Sequence, residues 1–156
     1  MTTSLALVAD LGGTNTRVAL ADGKVVREGS IRRFSNAEFP SLEPVLVRYL
    51  AEAGLKGVDG VCVAAAGPVR DGVAVMTNLD WTIDAAQLIR ATGARQTAIL
   101  NDLQAQGHAL GHIAPENLRC LIDGPQQPGG AMLVAGVGTG MNAAPVHNTP
   151  WGRVVA

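Results

Sequence analysis

The chain is poor in aromatic residues, in cysteine and in unbalanced charge, and each shortage argues against a class of protein. Aromatic residues make up 3% of its 156 residues, so few rings are available for stacking on nucleic-acid bases. The formal net charge is -1 with no basic block, which also argues against a nucleic-acid partner. No apolar run is long enough to span a membrane, and no basic segment precedes the first apolar stretch as in a signal peptide. Cys62 and Cys120 form no C-x-x-C pair, which is typical of reduced thiols in a cytoplasmic protein.

The apolar residues, 47% of the chain, fall in short runs and helical faces that predict an α/β fold. Aliphatic residues alternate with turn signals such as Asp22-Gly23, which predicts a hairpin. We predict strands at 5–9, 16–21, 24–32, 60–66, 72–76 and 97–100, and helices at 41–53, 84–91 and 102–110. Three hairpin-linked strands followed by alternating helices and strands predict a ribonuclease-H-like domain with a mixed sheet flanked by helices.

A second domain is predicted to begin near the end of the chain. The sequence PQQPGG at 125–130 is typical of a linker. Beyond it, VAGVGTGMNAAPV is similar to the earlier VADLGGTNTRVAL, which predicts a second copy of the same fold. We therefore expect a first domain over 1–124, a linker over 125–130 and an incomplete start of a second domain over 131–156, because a lone hairpin cannot bury its apolar face.

Two glycine turns follow predicted strands and suit the binding of phosphate. In Asp10 to Asn15, DLGGTN, the glycines allow close approach of a ligand and present N–H groups to phosphate oxygens. Thr14 and Thr16 can add hydroxyl donors, and Asp10 can hold Mg²⁺ through water molecules. The alternative is an ordinary hairpin with an aspartate at its mouth. The second turn, VAGVGTG at 134–140, lacks the spaced glycines and following helix of a dinucleotide fold, so it is either a second phosphate loop or a flexible turn.

Asn101 and Asp102 follow another predicted strand and begin a helix. A carboxylate at Asp102 can accept the proton of a substrate hydroxyl as it attacks a γ-phosphate, and Asn101 can orient that substrate. Both residue types are also common helix N-caps, which is the structural alternative. The polar loop TNLDW at 77–81 suits a sugar, or is a surface loop whose Trp81 packs on the domain.

Together these motifs resemble those of bacterial glucokinases, the ATP-dependent hexose kinases of the actin-like sugar-kinase superfamily. LVADLGGTNTRVAL and VAGVGTGMNAA resemble the two phosphate motifs of that family. AAAGPV followed by MTNLDW resembles its sugar-side segment, and ILNDLQAQGHAL resembles the motif with the catalytic aspartate. The order and spacing of all four agree over nearly the whole chain.

The resemblance implies a role for each matching residue. Asp102 is the implied general base for transfer of phosphate from ATP to glucose, which yields glucose 6-phosphate in glycolysis. The implied glucose-binding residues are Asn78, Asn101 and Asp102. The implied ATP-phosphate ligands are Ala9, Asp10, Leu11, Gly12, Gly13, Thr14, Gly136, Gly138, Thr139 and Gly140, with Mg²⁺ near Asp10.

The length of the chain departs from that family, whose members are about twice as long. The Glu-Gly-Gly-His segment that supplies further sugar ligands in the family does not occur in this sequence. We therefore expect the chain alone to be poorly active. One alternative is a non-catalytic sugar- or phosphate-binding fragment or one half of a two-chain assembly, a homodimer included. Another is a kinase of the ROK group for a different hexose or an amino sugar.

Overall fold

The computed structural model describes residues 4–125, 127–137 and 141–156, and the chain forms two compact units. The first unit is Met1–Asp102 and the second is Leu103–Ala156. The boundary between the two units therefore falls between Asp102 and Leu103, and the domain limits near 124 and 131 stay a prediction.

A six-stranded mixed sheet lies at the centre of the first unit. In chain order the strands of this unit are β1 (Leu5–Leu11), β2 (Asn15–Asp22), β3 (Val25–Val26), β4 (Arg32–Ser35), β5 (Gly60–Ala65), β6 (Val69–Arg70), β7 (Val73–Val75), β8 (Thr82–Ile83) and β9 (Gln96–Asn101). The large sheet has the order β3-β2-β1-β5-β9, with β4 also paired to β2, while β6, β7 and β8 form a small sheet. β1 is antiparallel to β2 and parallel to β5, which is parallel to β9. This order confirms the predicted mixed sheet of a ribonuclease-H-like domain.

The register of the parallel strands brings their carboxyl ends to one edge of the sheet. Leu11 on β1 lies beside Ala65 on β5, and Ala65 lies beside Asn101 on β9. The segments that follow β1, β5 and β9 therefore all begin at the same edge, where open α/β sheets commonly bind ligands.

Two helices pack in the first unit, α1 (Leu42–Glu52) and α2 (Ala85–Thr92). The apolar stripe predicted for the first of them is buried on one face of α1, at Leu42, Val45, Leu46, Tyr49 and Leu50. Burying each large aliphatic side chain contributes about 1.5 to 3 kcal/mol. The periodicity of the sequence therefore predicted both the helix and its inner face.

The single strand predicted over 24–32 is wrong, because the chain turns in its middle. β3 and β4 are separate pieces joined by a turn in which the Ser30 N–H donates to the Arg27 carbonyl oxygen at 3.2 Å. Gly29 adopts φ +74° in that turn, a left-handed conformation that ends regular strand geometry.

The second unit contains most of α3 (Asp102–Ala109) and the strands β10 (Met132–Val137), β11 (Met141–Thr149) and β12 (Gly152–Val155). These strands form an antiparallel sheet in the order β10-β11-β12, which repeats the pairing of β1 and β2. A Cβ on Gly107 would lie 2.6 Å from Val155 Cγ1, so the glycine allows α3 to pack closely on this sheet. No helix in the described parts of the chain is long and apolar enough to cross a membrane.

Candidate functional site

The glycine turn between β1 and β2 is held by the side chain of a buried asparagine. Asn36 is 2% exposed, and its Nδ2 donates to the Gly12 carbonyl oxygen at 2.8 Å. Its backbone N–H donates to the Thr14 carbonyl oxygen at 2.9 Å, while the Gly12 N–H donates to the Asn15 carbonyl oxygen at 3.0 Å. The Thr16 hydroxyl is fully buried and donates to Asn36 Oδ1 at 2.7 Å. The expectation that Thr16 offers a hydroxyl to phosphate is therefore wrong.

Asp10 lies at the mouth of this turn beside two arginines. Arg17 is its direct neighbour on β2, and Arg17 Nη1 lies 3.2 Å from Asp10 Oδ2. Arg33 on β4 lies opposite Arg17 in the ladder. Both members of the Asp10–Arg17 pair are more than half exposed. The ion pair therefore contributes little to stability, and either side chain can leave it for a ligand at low cost. At the mouth of the turn the guanidinium groups of Arg17 and Arg33 outnumber the single carboxylate of Asp10, and this local excess of positive charge suits an anionic ligand.

A cavity of about 200 Å³ lies between these groups. Its lining residues are Asp10, Gly12, Thr14, Asn15, Arg17 and Arg33. The cavity combines backbone groups of the turn with cationic side chains, which is the donor set that phosphate oxygens require.

Asn101 is the last residue of β9, and its side chain is anchored to the turn after β5. Asn101 Nδ2 donates to the Gly67 carbonyl oxygen at 3.0 Å. Gly67 itself lies against β7, because a Cβ at this position would lie 2.5 Å from the Val75 carbonyl oxygen. Asp102 follows as the first residue of α3, where the helix N-terminus favours a negative charge. The predicted Asn-Asp pair therefore lies at the carboxyl edge of the sheet.

The loop between β7 and β8 brings Asn78 to the glycine turn. A Cβ on Gly13 would lie 3.5 Å from Asn78 Cβ and 3.6 Å from Asn78 Nδ2, and Asn78 itself is exposed. Trp81, in contrast, is only 6% exposed and belongs to the hydrophobic core. Of the two interpretations of this loop, the packed tryptophan is correct, so its ring is not a platform for a sugar.

The separation of the two carboxylates follows from the sheet register. Asp10 is in register with Ala64 and Leu100, so β5 lies between its strand and β9. The strands of Asp10 and Leu100 are two spacings of about 4.8 Å apart, and Asp102 lies two residues beyond Leu100. The Cα atoms of Asp10 and Asp102 are therefore roughly 10 to 12 Å apart. β5 therefore separates the glycine turn from the Asn-Asp pair along this edge of the sheet.

The remaining predicted phosphate ligands lie in β1 and in the second glycine segment. The side chains of Ala9 and Leu11 are apolar and buried, so neither offers a side-chain group to a ligand. Gly136 is in β10 of the second unit, where a Cβ would lie 3.2 Å from Leu103 Cδ2. Gly138, Thr139 and Gly140 lie outside the described residues.

The residues at this edge fit a magnesium ion that arrives with a nucleotide. Over residues 4–125, 127–137 and 141–156, no group of three or more His, Cys, Asp or Glu side chains is placed to hold a metal ion by itself. Mg²⁺ commonly uses one or two carboxylates together with substrate phosphates and water. The exposed carboxylate of Asp10 beside the glycine turn matches that requirement.

The fold is that of the actin-like sugar kinases. The crystal structure of a glucokinase from an Antarctic psychrotroph has a TM-score of 0.83 to this chain and 28% sequence identity, and the match covers 97% of this chain and 49% of that one. A ROK family glucokinase from Streptomyces griseus, solved in complex with glucose and AMPPNP, shares the fold at a TM-score of 0.60 and 20% identity, over 90% of this chain and 44% of that one.

Sequence comparison identifies the family. The Glucokinase family model matches residues 7–156. The glucokinase of Caulobacter vibrioides strain NA1000 is 37% identical over 142 residues, which are 90% of this chain and 43% of that protein. The chain belongs to the glucokinase family. It spans less than half the length of the curated relatives that it matches.

Two residues at this edge were missed by sequence reasoning. Asn36 lies in the segment FSNAEF, which has no pattern that connects it to a glycine turn 24 residues earlier. Gly67 directly follows the strand predicted over 60–66, but its contacts with Val75 and Asn101 are visible only in the folded chain. No local signal in the sequence could have identified either contact.

Proposed function

We propose that this chain carries the hexose-binding and general-base residues of an ATP-dependent glucokinase. The reaction is transfer of the γ-phosphoryl group of ATP to the 6-hydroxyl of D-glucose, with ADP and glucose 6-phosphate as products. The observation that supports it most strongly is the convergence of the Asp10–Thr14 turn and the Asn101–Asp102 pair at one edge of the sheet in a chain of this family.

In the proposed mechanism Asp102 accepts the proton of the sugar 6-hydroxyl as that oxygen attacks the γ-phosphorus. The bond from the γ-phosphorus to the bridging oxygen of ADP breaks as the new bond forms. Asn101 and Asn78 hold sugar hydroxyls, and Asn101 is kept in place by its hydrogen bond to the Gly67 carbonyl oxygen. General-base catalysis of this kind contributes about 10²- to 10⁴-fold to the rate.

The phosphates of ATP are proposed to bind the first glycine turn, with the proposed ligands Ala9, Asp10, Leu11, Gly12, Gly13 and Thr14. The second turn adds Gly136, Gly138, Thr139 and Gly140. Mg²⁺ bound with ATP would neutralise phosphate charge, and Asp10 would hold it through water. Because the reaction consumes ATP and Cys62 and Cys120 form no C-x-x-C pair, we also propose that the protein is cytoplasmic.

A glucose-binding experiment tests the sugar site. We expect calorimetric titration to show saturable binding of glucose to the chain, and loss of that binding in Asp102→Ala. The matched control is Asp59→Asn, which also removes a carboxylate. Asp59 precedes β5, where it accepts a hydrogen bond from the Leu5 N–H, and it lies about 20 Å from the carboxyl edge of the sheet. Absence of glucose binding to the wild-type chain, or equal binding by Asp102→Ala, would overturn the assignment of the sugar site.

A turnover experiment tests the base. Asp102→Asn keeps the size of the side chain but removes the carboxylate, so we expect formation of glucose 6-phosphate to fall by about 10²-fold or more. We expect the wild-type chain itself to turn over slowly, because exclusion of water in kinases of this kind needs closure of two domains and the chain spans under half of its relatives. Equal rates for the wild type and Asp102→Asn would exclude Asp102 as the base.

A further inference from the structure

We propose that Asn36 is a positioning residue that sets the orientation of the Gly12–Thr14 turn for phosphate binding. The inference rests on the proposed function, because it concerns the phosphate-binding role of that turn. Asn36 is the first residue of a short 3₁₀ helix after β4 and is remote in sequence from the turn.

Asn36 holds the turn at two carbonyl oxygens. Its Nδ2 donates to Gly12 O at 2.8 Å, and its backbone N–H donates to Thr14 O at 2.9 Å. Its own Oδ1 accepts the Thr16 hydroxyl at 2.7 Å, which fixes the carboxamide and thereby keeps Nδ2 directed at Gly12. Asn36 and Thr16 are 2% and 0% exposed, so water does not compete for these bonds.

Anchoring a carbonyl oxygen also orients the N–H group of the same peptide unit. No peptide bond of the described residues is cis, and in a planar trans peptide the C=O and N–H bonds point in opposite directions. Because Gly12 O points at Asn36, the Gly13 N–H points away from Asn36. That N–H is one of the donors proposed for phosphate.

A glycine turn cannot hold this orientation by itself. Gly12 and Gly13 lack a Cβ, so their peptide planes rotate with little steric resistance. The hydrogen bond from the Gly12 N–H to the Asn15 carbonyl oxygen closes the turn but involves neither group of the Gly12–Gly13 peptide, whereas Asn36 Nδ2 holds the carbonyl oxygen of that peptide. If the amide is removed, the Gly12–Gly13 peptide is free to turn, and fewer molecules present the Gly13 N–H to a ligand.

A purely structural role for Asn36 predicts a different result, and Thr92 is the matched control. Thr92 is 1% exposed, its hydroxyl donates to the Leu88 carbonyl oxygen at 2.6 Å, and it accepts the Ala94 N–H at 3.2 Å. Thr92→Val removes two buried hydrogen bonds from the first unit, which also contains Asn36, but leaves every hydrogen bond of the glycine turn in place. It should lower the Tm while leaving phosphate binding unchanged.

The experiment is an NMR titration of the ¹⁵N-labelled 156-residue chain with Mg-ATP and, separately, with glucose. We expect Asn36→Ala to weaken Mg-ATP binding about tenfold and to change glucose binding by less than about twofold. Thr16→Val should weaken Mg-ATP binding severalfold, whereas Thr16→Ser, which keeps the hydroxyl, should restore it. The Thr16 pair gives a decisive result even if Asn36→Ala does not fold.

The outcomes separate this inference from the proposed function. If the wild-type chain does not bind Mg-ATP, the phosphate role of the turn fails, and the inference fails with it. If the wild type binds but Thr16→Val binds equally well, the inference fails alone. It also fails if Thr92→Val weakens Mg-ATP binding as much as Thr16→Val, because general destabilisation would then explain the effect.

Discussion

Replacing Gly67 with alanine should damage both the fold and the anchor of Asn101. An added Cβ would lie 2.5 Å from the Val75 carbonyl oxygen and 3.3 Å from its carbonyl carbon. Both neighbours are backbone atoms of β7, so relief requires a backbone shift rather than rotation of a side chain. Overpacking of this kind costs about 1 to 3 kcal/mol.

The same shift moves the acceptor of the Asn101 side chain. Asn101 Nδ2 lies 3.0 Å from Gly67 O, and a displacement of about 1 Å would lengthen this bond beyond hydrogen-bonding distance. Losing the bond adds about 0.5 to 1.5 kcal/mol, so the total destabilisation of Gly67→Ala is about 1.5 to 4.5 kcal/mol. For a unit of this size the Tm should fall by about 6 °C or more.

Thermal and urea unfolding followed by circular dichroism measure this effect, with Gly60→Ala as the matched control. A Cβ on Gly60 would lie 3.7 Å from the Gln96 carbonyl oxygen, which is an ordinary contact. We expect Gly60→Ala to stay within about 0.5 kcal/mol of the wild type. If Gly67→Ala proves as stable as Gly60→Ala, the close approach of Gly67 to β7 is not a constraint and the reasoning is refuted.

Two further predictions concern a helix cap and alkaline pH. Asp84 Oδ1 accepts the Gln87 N–H at 2.8 Å at the start of α2, so Asp84→Ala should cost about 1 kcal/mol in urea unfolding, whereas Ser41→Ala at α1 should cost little because Ser41 makes no such bond. Comparable losses for both variants would contradict the capping argument. Burial raises the pKa of the Cys62 thiol and of the Tyr49 phenol. A pKa that is higher in the folded than in the unfolded state means that the folded protein favours the protonated group. The resulting stability is complete below the unfolded-state pKa and is lost as the pH rises through the folded-state pKa. The Tm should therefore fall above about pH 9. The loss should be smaller in Cys62→Ala, and a Tm that is constant up to about pH 11 would contradict the assignment.

Much of the first unit could be predicted from local patterns. The stripe of apolar residues in α1 determines which face is buried, because a side-chain period of 3.6 matches the helix whatever it packs against. Gly93 ends α2 with φ +67°, as the glycine at the end of the predicted helix indicates. The strand–glycine–strand pattern likewise predicted the hairpin of β1 and β2.

One of the failed predictions concerns a residue whose partner is distant in sequence. Thr16 has a hydroxyl that could donate to a phosphate, but this hydroxyl is buried and donates to the side chain of Asn36, which is 20 residues later in the sequence. For the loop with Trp81 the sequence left two interpretations open, and the buried ring confirms the packed one.

The sequence by itself determined the family, the main helices and strands, the glycine turn after the first strand and the Asn-Asp pair at the end of β9. These features depend on residue type and spacing within a few turns or strands, which the linear order contains. Only the tertiary structure decided that Asn36 holds the first turn and that Gly67 holds Asn101, which is 34 residues away. Such contacts form because the sheet register brings distant loops to one edge, and a polar group buried there must find its hydrogen-bond partner among whatever groups the fold places beside it.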